Sequence, residues 1–214
     1  LLSRAVPEEQ VQSIIIVVHD KEHKELWERD LAFFWPNVQV LPFPITERVE
    51  FTTVARSLEG QGAQMRALSM LAWNQPVVVL ATVEEVTQYV VSPQYVVSQS
   101  VHLEVSQSIE RDDLLEKLVT IGYERVDQVE QRGHFSVRGD IFDIFPVNSD
   151  DPIRMEFFGD EIDTMRHFSV DTQRSIENVD AYTVTPFYLT SDDADSTLLS
   201  YAKEGLIIYD EPGR

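Results

Sequence analysis

The most chemically suggestive residues of the chain form an acidic pair, Asp210-Glu211, which directly follows the apolar run LIIY. In helicase-type NTPases, an acidic pair at the end of an apolar strand holds Mg²⁺. A phosphate-binding loop of the form G-x-x-x-x-G-K-[ST] must accompany such a pair, and the sequence contains no such loop. Pro212 also follows the pair directly. We therefore expect no catalytic residues and no bound cofactor in this chain.

A second group that could do chemistry is a pair of histidines, His19 and His23, with Asp20 and Glu22 beside them. Two histidines four residues apart on one helix can bind zinc. Here His19 ends a predicted strand and His23 begins a predicted helix, so we predict no metal site. The other histidines are scattered, and no serine lies in the G-x-S-x-G setting of a nucleophile.

A third group, of arginines and carboxylates, lies between Tyr123 and Phe168, where short strands alternate with tight turns at 132–133, 148–152 and 159–160. On the last long strand, alternation separates two faces: Ile153, Met155 and Phe157 on one, and Arg154, Glu156 and Phe158 on the other. An arginine, a carboxylate and a large aromatic together are typical of a protein-contact surface. A sheet with an ordinary polar outer face and salt bridges is the alternative interpretation of these residues.

The preceding strand follows the same alternation. Phe135 and Val137 point one way and Arg138 the other, and Phe142 returns to register after Gly139-Asp140. We predict a β-bulge at Gly139-Asp140 that re-aims the second half of the strand.

The charge balance restricts the class of partner. The chain has 37 Asp and Glu against 17 Lys and Arg, a formal net charge of −20. DNA affinity depends mainly on Lys and Arg contacts to phosphates, so this chain is a poor candidate for an autonomous DNA-binding protein. Six of the thirteen arginines lie between residues 123 and 174, together with twelve acidic residues. Such mixed charge favours a protein interface over a phosphate-binding track.

The overall composition indicates a globular protein. A chain of 214 residues can form one large domain or two small ones. No apolar run approaches the roughly 18–20 residues needed to span a bilayer, and the first residues do not resemble a secretory signal. The absence of cysteine excludes disulfides and thiolate metal sites. A cytoplasmic location is compatible with these features.

The elements that position these residues fall into two patterns. Strands are predicted at 13–19, 38–41 and 77–81, and helices at 21–35, 53–73 and about 82–85. This alternation is typical of an α/β domain with a parallel sheet. Trp27, Phe33, Phe34 and Trp35 have helical spacing and are predicted to be core residues. Gly60-Gln-Gly62 weakens the prediction for the first half of the second helix.

A second domain is predicted where the composition changes. From Ser92 onward the sequence becomes rich in Val, Ser and Gln. A strand at 102–105, a helix at 110–121 and the strand cluster then follow. The run at 205–212 again resembles a buried parallel strand and is expected to return to the first sheet. We therefore assign residues 1–101 and 185–214 to the first domain, and 102–184 to an inserted second domain.

The strand cluster carries a family resemblance. The segments GYERVDQVEQRGHFSVRGDIFDIFPV and RMEFFGDEIDTMRHFSVDTQRSI resemble the UvrB-like domain 2, which UvrB shares with the N-terminal module of bacterial transcription-repair coupling factors. The flanking strands and helices agree in their order. The resemblance implies a degenerate P-loop-like parallel-sheet domain with an inserted α+β antiparallel-sheet domain.

Three departures from UvrB favour the coupling-factor branch. The short loop between Val38–Phe43 and the helix at 53 leaves no room for the DNA-gripping hairpin of UvrB. Ser136 replaces an arginine that is usual in UvrB, and Asp210-Glu211-Pro212 replaces Asp-Glu-Ser-His. A fragment of UvrB itself, a damage-verifying ATPase with its phosphate loop upstream of residue 1, is the alternative.

The resemblance also implies a partner and its contact residues. In this family, domain 2 binds UvrA through arginines and neighbouring residues of the sheet. By motif position, the candidate residues are Arg125, Arg138, Arg154, Glu156 and, less directly, Phe142. Arg125 depends on the motif alone, whereas Arg138, Arg154 and Glu156 also follow from strand alternation.

The remainder of a coupling factor implies further partners outside this chain. It would contain an RNA-polymerase-binding domain and a DNA translocase motor that uses ATP and Mg²⁺. A third interpretation is a structural domain that holds the parent protein in an inhibited state by covering the same sheet.

Overall fold

The computed structural model describes residues 13–45, 54–187, 194–202 and 205–210, with the backbone alone for 54–59. The chain divides into two compact units, Leu1–Val97 with Thr190–Arg214, and Ser98–Leu189. We refer to them as the first and second units. The predicted insertion at 102–184 lies within the second unit.

The helices and strands follow in chain order. The first run consists of β1 (Ser13–Val18), α1 (Lys21–Phe34), β2 (Val40–Pro42), α2 (Val54–Ala72), β3 (Val77–Thr82), α3 (Val83–Val86), β4 (Val90–Val91) and α4 (Pro93–Gln99). The second unit then contains β5 (Val101–Glu104), α5 (Arg111–Thr120), β6 (Glu124–Arg125), β7 (His134–Arg138), β8 (Ile141–Ile144), β9 (Ile153–Phe158), β10 (Glu161–Phe168), β11 (Ser175–Asn178) and β12 (Ala181–Val184). After the second unit come β13 (Ala194–Ser196), a 3-10 helix (Leu198–Tyr201) and β14 (Leu206–Tyr209).

The first unit is built on a parallel sheet, which confirms the predicted α/β class. Its four strands lie in the order β14-β1-β3-β2. All six residues of β1 are buried, as expected for a continuous apolar run inside a parallel sheet. β14 pairs in parallel with β1, with Ile14 opposite Leu206. β14 is nevertheless an edge strand and is only partly buried, so the expectation of a fully buried strand is wrong.

The buried side of α1 differs from the predicted one. Leu31 and Trp35 pack in the core and Trp27 is half-buried. Phe33 and Phe34, in contrast, are 79% and 65% exposed, so their prediction as core residues is wrong. More than one set of residues in this helix has helical spacing and could form its buried side. The helix buries Lys24 and Leu31 and leaves Phe33 and Phe34 exposed.

Lys24 is buried because a complete set of acceptors surrounds its ammonium group. Its Nζ donates to both carboxylate oxygens of Glu85, at 2.8 and 2.7 Å, and to the carbonyl oxygen of Phe43 at 2.9 Å. Glu85 also accepts from the backbone N–H of Thr82, within the capping box that begins α3. A buried ion pair of this kind is tolerated only when its hydrogen bonds are made.

The long helix α2 runs through both of its glycines. Its later residues Met65, Leu68 and Leu71 are buried, so packing overrides the local preference of Gly60 and Gly62. No helix in the described part of the chain is long and apolar enough to cross a membrane.

The second unit combines helix α5 with a six-stranded sheet in the order β11-β10-β9-β8-β7-β6. All neighbouring pairs of strands are antiparallel except β6 and β7. Leu114 and Leu118 of α5 belong to the core that also contains one face of the sheet. Tyr123 joins two segments that are distant in sequence. Its buried hydroxyl donates a hydrogen bond to the carbonyl of Thr185 and accepts one from the N–H of Val147. The α+β antiparallel class predicted for this unit is confirmed.

The turn between β7 and β8 corrects one sequence prediction. Arg138 pairs with Ile141, so Gly139 and Asp140 form a two-residue hairpin turn and not a bulge within one strand. Gly139 has φ +63°, which glycine adopts without strain. Because Val137 lies opposite Phe142, a hairpin explains the common register of these residues as well as a bulge would.

Replacing Gly133 by alanine is expected to destabilise the second unit more than the same change at Gly139. Both glycines have positive φ, which costs an L-residue about 1–2 kcal/mol. A Cβ at Gly133 would also lie 2.7 Å from the ring of Phe187, whereas nothing lies within 4 Å at Gly139. Urea unfolding followed by circular dichroism measures both free energies, and equal losses in the two variants would contradict the packing described here.

Candidate protein-binding site

One face of the six-stranded sheet is covered by the core, and the opposite face carries the charged residues. Two rows of cross-strand neighbours cross that outer face. The first consists of Ser136, Asp143, Arg154, Arg166 and Asn178, and the second of Arg138, Ile141, Glu156 and Thr164. We call the surface formed by Ser136, Arg138, Asp143, Arg154, Glu156 and Arg166 the outer face.

Asp143 lies at the centre of the outer face and is only 1% exposed. Arg154 binds it in bidentate fashion, with Nε to Oδ1 at 2.7 Å and Nη2 to Oδ2 at 2.8 Å. Arg138 donates from Nη2 to the same Oδ2, also at 2.8 Å. Charge-assisted pairs of this geometry are among the stronger hydrogen bonds in proteins. Asp143 therefore joins two of the predicted contact arginines.

Arg154 is held on all sides. Its guanidinium carbon lies 4.4 Å from the ring centroid of Phe168, in cation–π geometry. Its Nη2 also donates to the side chain of Gln173 at 3.2 Å, and only 13% of its side chain is exposed. The hydrogen bonds to Asp143 raise the pKa of Arg154 above its ordinary value. Arg154 is thus a permanently charged residue that stabilises the sheet, and little of its surface is left for a partner.

A second ion pair, between Glu156 and Arg166, lies beside the first. Arg154 and Arg166 are directly opposite each other on β9 and β10, where like charges repel. Each arginine has its own carboxylate, which offsets this repulsion. The hydrogen bond from Arg166 lowers the pKa of Glu156 below its ordinary value.

An open depression of about 590 Å³ lies at the β6–β7 edge of the sheet, where Arg138 of the outer face contributes to its lining. Its lining consists of Arg125, Val126, Asp127, Val137 and Arg138. Arg125 is exposed, and half of the Arg138 side chain is exposed as well. With two guanidinium groups against the one carboxylate of Asp127, and two valines beside them, the lining fits an acidic side chain with an apolar neighbour.

The predicted residue Phe142 does not reach this surface. It is 1% exposed and stacks on Phe135, with ring centroids 5.8 Å apart. Phe142 therefore belongs to the core and stabilises the sheet from its inner side. It is not an exposed contact residue.

Phe158 is the most exposed aromatic among the described residues of the second unit. It ends β9 two residues after Glu156 and is 83% exposed. An exposed aromatic beside arginines is the composition of many binding hot spots.

In the first unit, the residues that could do chemistry are engaged with one another. The indole Nε1 of Trp27 donates to Oδ2 of Asp210 at 2.8 Å. Asp20 begins α1 as its N-cap and also bonds Nδ1 of His23 at 2.8 Å. Glu211 and Pro212 lie outside the described residues. Within the described residues, no group of three potential metal ligands occurs.

Asp143 and Arg166 are the outer-face residues that sequence reasoning missed. A single aspartate in an apolar strand does not indicate its partners, because these lie on two other strands. The pairing of the strands reveals both residues, since Arg154 on β9 lies opposite Asp143 on β8 and Arg166 on β10.

Comparison with known proteins identifies this unit. Residues 101–188 match the family model of the UvrB interaction domain. This part of the chain is therefore similar to the UvrB interaction domain. The matched range contains the six-stranded sheet, the helix α5 and the whole outer face.

Relatives extend the similarity beyond the UvrB interaction domain. The transcription-repair-coupling factor of Bacillus subtilis (strain 168) is 30% identical over 186 residues, which is 87% of this chain and 16% of the relative. That of Staphylococcus aureus (strain bovine RF122 / ET3-1) is 31% identical over 186 residues, 85% of this chain and 16% of the relative. That of Staphylococcus haemolyticus (strain JCSC1435) is 28% identical over 196 residues, 90% of this chain and 16% of the relative. The chain spans 16% of the length of these curated relatives.

The Glu156–Arg166 pair is expected to make the stability of the second unit depend on pH. Because the pKa of Glu156 is lowered, the pair stabilises the fold above the ordinary glutamate pKa of 4.5, and this contribution is lost as the pH falls through the folded pKa. A carbon-13 NMR titration of the Glu156 carboxyl group should give a midpoint below 4.5.

The variant Arg166→Gln should return the Glu156 midpoint toward its ordinary value. Arg132→Gln is the matched control, because Arg132 pairs with Asp150 instead. A midpoint that does not move in Arg166→Gln would contradict the assigned pair.

Proposed function

We propose that this chain is the UvrA-docking module of a transcription-repair coupling factor. The observation that carries the proposal is the arginine-rich outer face within a UvrB interaction domain, on a chain whose net charge is −20. The outer face combines three arginines with two carboxylates, so it is locally positive on an acidic molecule. This contrast favours an acidic protein surface as the partner.

Recognition would take place through protein–protein contact at the exposed part of the outer face and at the depression beside it. Arg125 and Arg138 line the depression and would pair with carboxylates of UvrA. Glu156 is partly exposed and would fix the register of the complex. Ser136 is buried next to Asp143, so its side chain contributes to packing and not to contact.

The parent protein would supply the other activities. As in a coupling factor, separate regions would bind RNA polymerase and move along DNA with ATP and Mg²⁺, so that UvrA is recruited to a stalled polymerase in the cytoplasm. Within this chain we propose no enzymatic role, since the sequence lacks a phosphate-binding loop and Asp210 accepts a hydrogen bond from Trp27. The three relatives described above are named coupling factors, which favours this proposal over a fragment of UvrB.

Removal of an exposed arginine at the depression should weaken UvrA binding. Arg125→Ala and Arg138→Ala each delete a charge at the depression, and a contact that carries binding energy is expected to lose at least about tenfold in affinity. Titration calorimetry with purified UvrA, without DNA or nucleotide, measures the dissociation constants.

Arg29→Ala is the matched control for this experiment. Arg29 is also an exposed arginine, with 72% of its side chain accessible, but it lies on α1 of the first unit. Its removal should leave the affinity unchanged. A wild-type chain that fails to bind UvrA at micromolar concentrations would overturn the proposed function, and equal losses in all three variants would overturn the assigned face.

A further inference from the structure

We infer that Asp143 is a positioning residue of the docking surface, a buried carboxylate that orients Arg138 toward the partner without touching the partner itself. The inference rests on the proposed function, because it assigns a role within the same site. It also changes the role of Arg154 from a predicted contact residue to a residue that holds Asp143 in place.

The burial of Asp143 excludes direct contact. Its side chain is 1% exposed, although it lies on the face of the sheet opposite the main core. A buried carboxylate is tolerated when charged partners surround it, and removal of one partner is strongly destabilising. Arg154 and Arg138 are those partners, and they contact both oxygens.

The two arginines share Asp143 unequally. Arg154 uses two nitrogens on the two carboxylate oxygens, and its remaining contacts are Phe168 and Gln173. Arg138 uses only Nη2, and half of its side chain stays exposed at the rim of the depression. Asp143 therefore fixes one end of Arg138 while the rest faces outward.

Such fixation matters for binding because a free arginine side chain is disordered. Ordering a flexible side chain on association costs about 0.5–1.5 kcal/mol. An arginine that is already held in place has lost this freedom before the partner arrives. The gain for Arg138 alone is a factor of about two to ten in affinity.

Arg154 secures the carboxylate from the opposite side. Its guanidinium donates to the side chain and to the backbone carbonyl of Gln173, which has φ +57°. A non-glycine residue in this conformation persists when its surroundings hold it. Arg154 thus connects β9, Asp143 and the turn before β11.

The test uses Asp143→Asn, which keeps the shape of the side chain and removes its charge. In the free chain, nitrogen-15 relaxation of the Arg138 Nε–H group should show greater mobility in Asp143→Asn than in the wild type. UvrA affinity, measured by titration calorimetry, should fall by about two- to tenfold. In the Arg138→Ala background, the same Asp143→Asn change should have little further effect on affinity, because the residue through which Asp143 acts is gone.

A double variant protects the test against misfolding. If Asp143→Asn unfolds by circular dichroism, Asp143→Asn with Arg154→Gln replaces the buried ion pair by two neutral amides. The unpaired charge that remains is Arg138, whose side chain is half exposed. The double variant should show the same increase in Arg138 mobility. Unchanged mobility of Arg138, or equal losses of affinity from Asp143→Asn with and without Arg138, would overturn the inference. If the wild-type chain does not bind UvrA, the proposed function fails while the relaxation measurement still decides the role of Asp143.

Discussion

The buried carboxylate of Asp143 is the constraint on which the outer face depends. It lies in the middle of a six-stranded sheet, on the side that an ordinary two-layer domain leaves to solvent, and it is 1% exposed. Its burial requires arginines on both neighbouring strands, which brings Arg138 and Arg154 into one cluster. Arg154 in turn faces Arg166, so Glu156 is needed as a second carboxylate. Each charge on this face is explained by the one beside it.

The two units manage buried charge in a similar way but for different ends. In the first unit, Lys24 and Glu85 neutralise each other inside the structure, and Asp210 accepts a hydrogen bond from Trp27. These polar groups therefore stabilise the fold itself. In the second unit, the cluster around Asp143 satisfies its buried member and still leaves Arg138 half exposed. Only the second arrangement leaves a charged group available to a partner.

Much of the fold followed from sequence patterns, and the failures have physical causes. Continuous apolar runs predicted β1 and β3, and alternation on β9 separated Arg154 and Glu156 from the core face. The exposure of Phe33 and Phe34 was missed because helical spacing alone does not say which stripe faces the sheet, and a buried lysine decided it. The role of Asp143 was missed because its partners are remote in sequence. Contact of the outer face with UvrA stays a prediction.

The most direct test of the docking surface is site-specific photo-cross-linking with a matched pair of phenylalanines. Phe158 and Phe33 are 83% and 79% exposed, and each can be replaced by p-benzoylphenylalanine. Phe158 ends β9 beside the outer face, whereas Phe33 lies on α1 of the first unit. Docking through the outer face predicts that the probe at Phe158 cross-links to UvrA and the probe at Phe33 does not. Cross-links from Phe33 alone would contradict it.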